Sequence, residues 1–134
     1  MSDIDSVGQR WLAKAERFLD TARNCRRDGD LDGCVSRAQY AILHTILALV
    51  PEVRPYHSYT GIADYFSGHW TTEHSEFKDV GTLDNERNLY HSLMKLRDWR
   101  EDADYKLGET VEVRADNALS FTSRFIEKAK EQSR

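Results

Sequence analysis

Residues suited to chemistry concentrate in one segment, Arg97-Asp-Trp-Arg-Glu-Asp-Ala-Asp-Tyr105. If this segment and the residues before it form a helix, four apolar residues share one face: Leu89, Leu93, Leu96 and Ala103. Arg100 falls within that face, while Arg97 and Asp104 lie at its edge. Because a buried guanidinium needs a partner, the pattern predicts one of two arrangements. Either Arg100 belongs to a pocket that binds an anion, or it pairs with a carboxylate such as Asp104 at the edge of the domain.

A second polar stripe lies earlier in the chain, within an otherwise apolar stretch. Arg37, Tyr40 and His44 recur at spacings of three and four, which places them on one face of a helix. If this helix packs against the arginine-bearing helix, seven side chains could line one pocket: Arg37, Tyr40, His44, Arg97, Arg100, Asp104 and Tyr105. The spacing therefore predicts a shared site between two helices that are distant in the sequence.

Together these segments resemble the small stand-alone HEPN domains of prokaryotes, over roughly residues 10 to 130. The resemblance rests on Ser36-Arg-Ala-Gln-Tyr40 with His44, and on Arg100 followed by Ala103-Asp-Tyr105. It implies an α-helical bundle that usually forms a homodimer, with the motif ends of two protomers facing one cleft.

The resemblance also implies two kinds of activity. Many HEPN domains are metal-independent endoribonucleases with the motif R-x(4 to 6)-H. Many are encoded beside a minimal nucleotidyltransferase as a toxin and antitoxin pair, and a tyrosine that follows the motif histidine can accept AMP from the transferase. Counting back from Tyr105, the histidine position is occupied by Ala103, although Arg97 precedes it at the expected interval.

Ala103 decides between the predicted functions, because cleavage of RNA needs a group that moves a proton and alanine has none. The first prediction is a HEPN protein with a divergent or inactive ribonuclease motif, acting as a dimer beside a minimal nucleotidyltransferase. Tyr105 is then the candidate AMP acceptor, Arg97 and Arg100 bind phosphate, and Arg37 and Tyr40 contact the nucleotide.

An endoribonuclease is the alternative. Arg97 and Arg100 would stabilise the transition state, and Asp102, Asp104 or His44 would move protons in place of the missing histidine. A third hypothesis is a purely structural dimer, in which both arginines serve stability alone.

Composition narrows the partners. The net charge of -4 and the pI near 5.7 provide no general attraction to nucleic acid, so contact with RNA requires a local basic patch.

The histidines lack the spacing of common zinc motifs, and neither a metal nor a cofactor is expected. Cys25 and Cys34 are expected to be buried thiols, with a disulfide across the intervening turn as the alternative. The longest apolar run is too short to cross a bilayer, and a cytoplasmic location is expected.

Hydrophobic periodicity predicts the elements that position these residues. Helices are expected over residues 6–27, 31–50, 61–70, 85–103 and 114–130, with a short turn around Phe77 and a connector over 104–113. Gly29 and Asp30 should form a tight turn between the first two helices. The second helix is apolar over most of its girth and should lie at the centre. Residues 1–134 are therefore expected to form one all-α domain, a four- or five-helix up-down bundle of HEPN type.

Overall fold

The computed structural model describes residues 4–132, and within that range the regular structure is entirely helical. The α-helices are, in chain order, α1 (Ser6–Arg27), α2 (Leu31–Leu49), α3 (Tyr59–Tyr65), α4 (Thr71–Glu73), α5 (Leu89–Tyr105) and α6 (Glu112–Gln132). A π-helical turn, Phe66–Trp70, joins α3 to α4, and 3-10 turns cover Pro51–Val53 and Ser75–Val80. This architecture confirms the predicted all-α fold class.

Cross-helix contacts define how the four long helices run. Arg26 at the end of α1 pairs with Asp116 near the start of α6 at 2.7 Å, and Lys130 at the end of α6 pairs with Glu16 at 3.1 Å, so α1 and α6 are antiparallel. Helix α2 packs against α1, α5 and α6, and its buried residues surround most of its girth. The prediction that α2 lies at the centre is confirmed.

Short polar side chains set the helix starts. Asp30 Oδ1 accepts a hydrogen bond from the Gly33 amide at 2.9 Å, as the sequence predicts for the start of α2, and Gly29 before it has φ of 83°. Asn88 caps α5, its Oδ1 accepting from the His91 amide at 2.8 Å. The start of α1 is fixed by Asp5, whose Oδ1 accepts from the Gly8 amide at 2.6 Å.

The predicted bounds of two helices need correction. Helix α5 begins at Leu89 rather than Asn85, because Asp84 and Asn85 have φ values of 50° and 60° and cannot continue a right-handed helix. It also continues to Tyr105, so the connector to α6 is shorter than predicted. The third predicted helix, over 61–70, is α-helical only through Tyr65 and π-helical afterwards.

Aromatic packing fixes the segment between α2 and α5. Phe66 lies with its ring centroid 5.8 Å from that of Phe77 and 5.4 Å from that of Phe125 in α6, and all three side chains are fully buried. The predicted short turn around Phe77 is confirmed as the 3-10 turn Ser75–Val80. The segment is thereby anchored to the bundle, and it places α3 beside α5.

Two further predictions concern the state of the cysteines and the possibility of a membrane-spanning helix. Cys25 and Cys34 are free thiols, and Cys34 is buried, which raises its pKa to about 12. Over residues 4–132, no helix is long and apolar enough to cross a membrane.

Candidate functional site

Arg100 is the centre of the candidate site, which lies between α2 and the C-terminal half of α5. Its side chain is 16% exposed, and its Nη1 lies 3.4 Å from Asp104 Oδ2. The guanidinium carbon lies 5.5 Å from the ring centroid of Tyr40, which makes a cation–π contact between α5 and α2. Arg100 therefore lies in the apolar face of α5 where the periodicity places it, and it pairs with the carboxylate that the sequence singles out.

One atom of Arg100 is not satisfied. Its Nε is buried, and within the described part of the chain no acceptor lies in hydrogen-bonding distance. A buried N–H of a cation without an acceptor is costly, so such an atom marks a place where an outside acceptor would be stabilising. The geometry thus leaves one buried donor without an acceptor, in a guanidinium whose charge is shared between Asp104 at 3.4 Å and Glu101 at 4.0 Å.

Arg97 lies one turn earlier and is balanced differently. Its side chain is 27% exposed, and its Nε lies 3.1 Å from Asp98 Oδ1 and 3.6 Å from Glu101 Oε1. These acids are on the same solvent-exposed side of α5, so the ion pairs are screened. Arg97 contributes positive charge at the edge of the site rather than a buried donor.

Tyr59 of α3 is a site residue that sequence reasoning missed. Its buried hydroxyl donates to the Leu93 carbonyl at 3.2 Å. Burial raises the pKa of this phenol, while a hydrogen bond with Gln39 and the charges of Arg97 and Arg100 act in the opposite direction. Tyr59 therefore lies near enough to both arginines for their charges to act on its hydroxyl. The only sequence signal is that Tyr59 opens α3 directly after its capping residue, Ser58.

Tyr40 and His44 diverge although they share one face of α2. Tyr40 reaches α5 through Arg100 and α1 through Phe18, whose ring centroid is 6.0 Å away. The ring contacts of His44 are with α1: Trp11 is stacked on it at 5.3 Å, and Phe18 lies at 4.9 Å. The structure thus brings Tyr40 to Arg100 and directs His44 toward a different helix.

His44 is held neutral by its surroundings. It is 8% exposed, and burial, with a smaller effect of the nearby Lys14 charge, lowers its pKa to about 4. Its Nδ1 is buried without a hydrogen-bond partner in the described range. An imidazole in this state carries no positive charge at neutral pH and is a weak base.

Among the described residues, the partners of Arg100 do not include three predicted site residues, Asp102, Arg37 and Tyr105. Asp102 pairs with Lys106 at 3.1 Å and with Arg114 of α6 at 3.5 Å, so it faces α6. Arg37 is exposed on α2. Tyr105, at the end of α5, is 78% exposed.

An exposed apolar surface follows the site along the chain. Tyr105 is its first member, and Leu107, Val111 and Val113 are also exposed. Leu107 and Val111 lie in the connector between α5 and α6, whereas Tyr105 ends α5 and Val113 lies in the first turn of α6. The connector is attached to Asp32 of α2, whose Oδ1 accepts hydrogen bonds from the amide and the hydroxyl of Thr110. We call these four exposed apolar residues the connector patch.

The described residues contain no group of three or more His, Cys, Asp or Glu side chains placed to hold a metal ion.

Comparison with known proteins adds one finding. A model of the HEPN domain family matches residues 9–132, which is nearly the whole of this 134-residue chain. A search of curated proteins gives no match.

Proposed function

The chain belongs to the HEPN family, and on that premise we propose that it is a catalytically divergent HEPN protein that forms a homodimer and works with a minimal nucleotidyltransferase. The pair would be of the toxin and antitoxin type. In this proposal the arginine site binds phosphate, and Tyr105 is the residue that the transferase modifies.

The unsatisfied Nε of Arg100 is the observation that carries this proposal. A phosphate oxygen is a strong acceptor, and the guanidinium of Arg100 is already oriented by Tyr40 and Asp104. Arg97 adds charge one turn away. The pocket therefore retains the means to bind a phosphate although Ala103 provides no acid or base.

Tyr105 is suited to accept a nucleotide because its side chain is exposed at the end of the same helix. In the transfer, the Tyr105 oxygen attacks the α-phosphorus of ATP bound by the transferase. A phosphodiester forms, the bond to pyrophosphate breaks, and the phenolic proton passes to solvent or to a base of the transferase. Arg100 and Arg97 would hold the phosphate of the product in place.

The states of the other titratable residues support a divergent motif. His44 is directed toward α1, and Asp102 is engaged by Lys106 and Arg114. Asp104 is engaged by Arg100. None of these groups combines a free proton-transfer atom with a position beside the Arg100 guanidinium, which general acid–base catalysis requires.

Mass spectrometry after co-expression tests the proposal. The chain is produced with the nucleotidyltransferase encoded beside it, and intact and peptide masses are measured. We expect one added adenylyl group on Tyr105, and its loss in Tyr105→Phe. The matched control is Tyr56→Phe, since Tyr56 is also exposed but lies before α3. An unmodified Tyr105 beside a transferase that is active on other substrates would contradict the proposal.

An endoribonuclease is kept as the second candidate function because one surface of α1 suits RNA. Arg10, Lys14 and Arg17 line a groove of roughly 530 Å³ together with Trp11, and no carboxylate is among its lining residues. Lys14 lies 5.5 Å from the Trp11 ring centroid. Aromatic rings interleaved with cations are typical of single-strand binding, although the whole chain is acidic.

In this candidate, Arg97 and Arg100 stabilise the transition state, and Asp102, Asp104 or His44 moves the protons. Incubation of a labelled single-stranded RNA with the purified chain and with Arg100→Ala distinguishes it from the first proposal. Cleavage that Arg100→Ala abolishes, with the helical content unchanged, would favour the ribonuclease. Intact RNA at high protein concentration would exclude it.

A further inference from the structure

A second cleft lies away from the arginine site, where the π-helical turn, the loop after the 3-10 turn Ser75–Val80 and the first turn of α5 meet. Its volume is roughly 500 Å³, within the range of small-molecule sites. The π-helical turn forms one wall, and such turns are rare and often found at functional sites. Space for a small ligand therefore exists between three separate parts of the chain.

Two cations line this cleft without being neutralised. Among the described residues, no carboxylate lies within ion-pair distance of Lys78 or Arg87, although both contribute to the lining. Two acids near Arg87 in the sequence, Asp84 and Glu86, are instead bound by Lys95 at 3.9 and 3.3 Å. The charges of Lys78 and Arg87 are thus available to an anion.

Arg87 is also oriented. Asn88 Oδ1 accepts from the His91 amide at 2.8 Å and from His91 Nδ1 at 2.7 Å, so the proton of the neutral imidazole is on Nδ1. His91 Nε2 is then an acceptor, and Arg87 Nη2 donates to it at 3.1 Å. A neutral acceptor holds the guanidinium without cancelling its charge, which leaves the remaining N–H groups for an anionic ligand.

The opposite wall presents acceptors. The Ser67 hydroxyl donates its proton to the Ala63 carbonyl at 2.7 Å, and the Thr71 hydroxyl donates to the Ser67 carbonyl at 2.7 Å. Their oxygens can therefore only accept from a ligand, and Asp64 adds a carboxylate. Acceptors on one wall and free cations on the other fit a ligand with hydroxyl groups at one end and an anionic group at the other.

The cleft is held open rather than filled. A Cβ placed on Gly68 would meet no atom within 4 Å, so this part of the π-helical turn borders empty space. The facing loop is fixed, because the Leu83 amide donates to Ser92 Oγ at 2.9 Å and Arg124 Nε donates to the Val80 carbonyl at 2.7 Å. A preformed site loses less conformational entropy when it binds.

We propose that this cleft binds a phosphorylated sugar, with the phosphate on Lys78 and Arg87 and the sugar hydroxyls on Ser67 and Asp64. Such a group occurs both in free sugar phosphates and in 5′-nucleotides. In a nucleotide, the base would lie against the ring of Tyr90, which also lines the cleft. The proposal is independent of the modification of Tyr105.

Calorimetric titration of the full chain tests the inference with four probes: ribose 5-phosphate, adenosine 5′-monophosphate, ribose and inorganic phosphate. We expect ribose 5-phosphate to bind at least about tenfold more tightly than ribose or phosphate alone, because each carries only part of the recognised chemistry. Tighter binding of the nucleotide would identify a nucleoside phosphate as the ligand. Equal binding would identify a free sugar phosphate.

Variants locate the binding. The double variant Lys78→Gln/Arg87→Gln should lose affinity at least about tenfold, whereas Arg23→Gln/Lys128→Gln removes the same charge elsewhere and should have no effect. Gly68→Leu should fill the cleft and abolish binding while both cations remain. If Gly68→Leu binds like the unaltered chain, or the two double variants behave alike, the inference is wrong. It is also wrong if inorganic phosphate binds as tightly as ribose 5-phosphate.

Discussion

The surroundings of Arg100 stabilise its charge but leave one of its N–H groups unsatisfied. Tyr40 and Asp104 balance its charge, whereas its Nε is buried without an acceptor in the described part of the chain. The buried Nε without an acceptor costs free energy, which a residue needed only for stability would avoid. Whether Arg100 serves folding or binding is therefore a question for a variant that removes the charge.

Replacing Arg100 with methionine separates these explanations. Arg100→Met should change the free energy of unfolding by less than about 1 kcal/mol, because the aliphatic part of the side chain is conserved, the cost of burying Nε is removed, and Asp104, which is 27% exposed, remains hydrated without its partner. Urea denaturation measures this change, with Arg97→Met as the control. A loss above about 3 kcal/mol would mean that Arg100 is structural and would support the scaffold hypothesis.

His44 predicts a particular dependence of stability on pH. Its pKa is lowered to about 4 in the folded chain from the model-compound value of 6.5, so protons bind more tightly to the unfolded chain. Stability from this residue is complete above pH 6.5 and is lost as the pH falls toward 4, by about 3 kcal/mol at most.

The His44→Phe variant should lack this loss of stability between pH 6.5 and 4, whereas the exposed His57→Gln should retain it. Thermal or urea unfolding at several pH values provides the measurement. The same pH dependence in His44→Phe and in the unaltered chain would show that other groups cause it.

Sequence reasoning at this scale was most reliable where a residue type conflicts with its surroundings. An arginine in an apolar helix face predicts that its side chain is buried and has a partner, and Asp104, the partner in one of the two predicted arrangements, lies 3.4 Å away. The spacing of Arg37, Tyr40 and His44 does not predict which neighbouring helix each of these side chains contacts. Tyr40 and His44 share a face of α2, but Tyr40 contacts Arg100 of α5, whereas the ring contacts of His44 are with α1. Tyr59 has no such conflict and was not predicted.

At the scale of elements, the connector between α5 and α6 depends on one residue of α2. Asp32 Oδ1 accepts from both the amide and the hydroxyl of Thr110, which is 6% exposed. Because these bonds are partly buried, Asp32→Ala should lower the free energy of unfolding by about 1 to 2 kcal/mol.

The same variant should raise amide hydrogen exchange within residues 106–111 more than elsewhere, since the connector loses its attachment to α2. Asp28→Ala, an exposed acid in the turn between α1 and α2, is the control. Uniformly faster exchange throughout the chain would instead indicate a global loss of stability.

The sequence predicts the presence of the long helices, but it does not predict where their backbone departs from regular α-helix. Periodicity identifies the long helices because their buried faces repeat over many turns. The π-helical turn at Phe66–Trp70 leaves the apolar pattern intact and changes only the hydrogen bonding, so periodicity cannot reveal it. The start of α5 was misplaced because the backbone of Asp84 and Asn85 is decided by the loop, not by the apolar spacing.

At the scale of the whole molecule, the connector patch is the best candidate for a dimer interface. Of the six exposed large hydrophobic residues among those described, four form this patch. Contiguous exposed apolar residues are typical of protein contacts, and these four lie within nine consecutive positions of the chain, residues 105–113.

We expect the chain to be a dimer by size-exclusion chromatography with light scattering, and Leu107→Glu/Val113→Glu to make it a monomer, because burying two carboxylates is costly. Val7→Glu/Tyr56→Glu alters exposed hydrophobic residues elsewhere and should leave the dimer intact. A monomer before any substitution, or a dimer that persists in the first double variant, would contradict the assignment.

The π-helical turn Phe66–Trp70 determines how many residues separate α3 from α4. A π turn contains about one residue more than an α turn, so deletion of Gly68 should let α3 continue without interruption into α4. The register of Phe66 and the aromatic residues after it would then be regular, and the cleft lined by Lys78 and Arg87 would lose the wall that Ser67 and Gly68 form. One extra residue in a single helical turn thus contributes a wall to a ligand-sized space in this bundle.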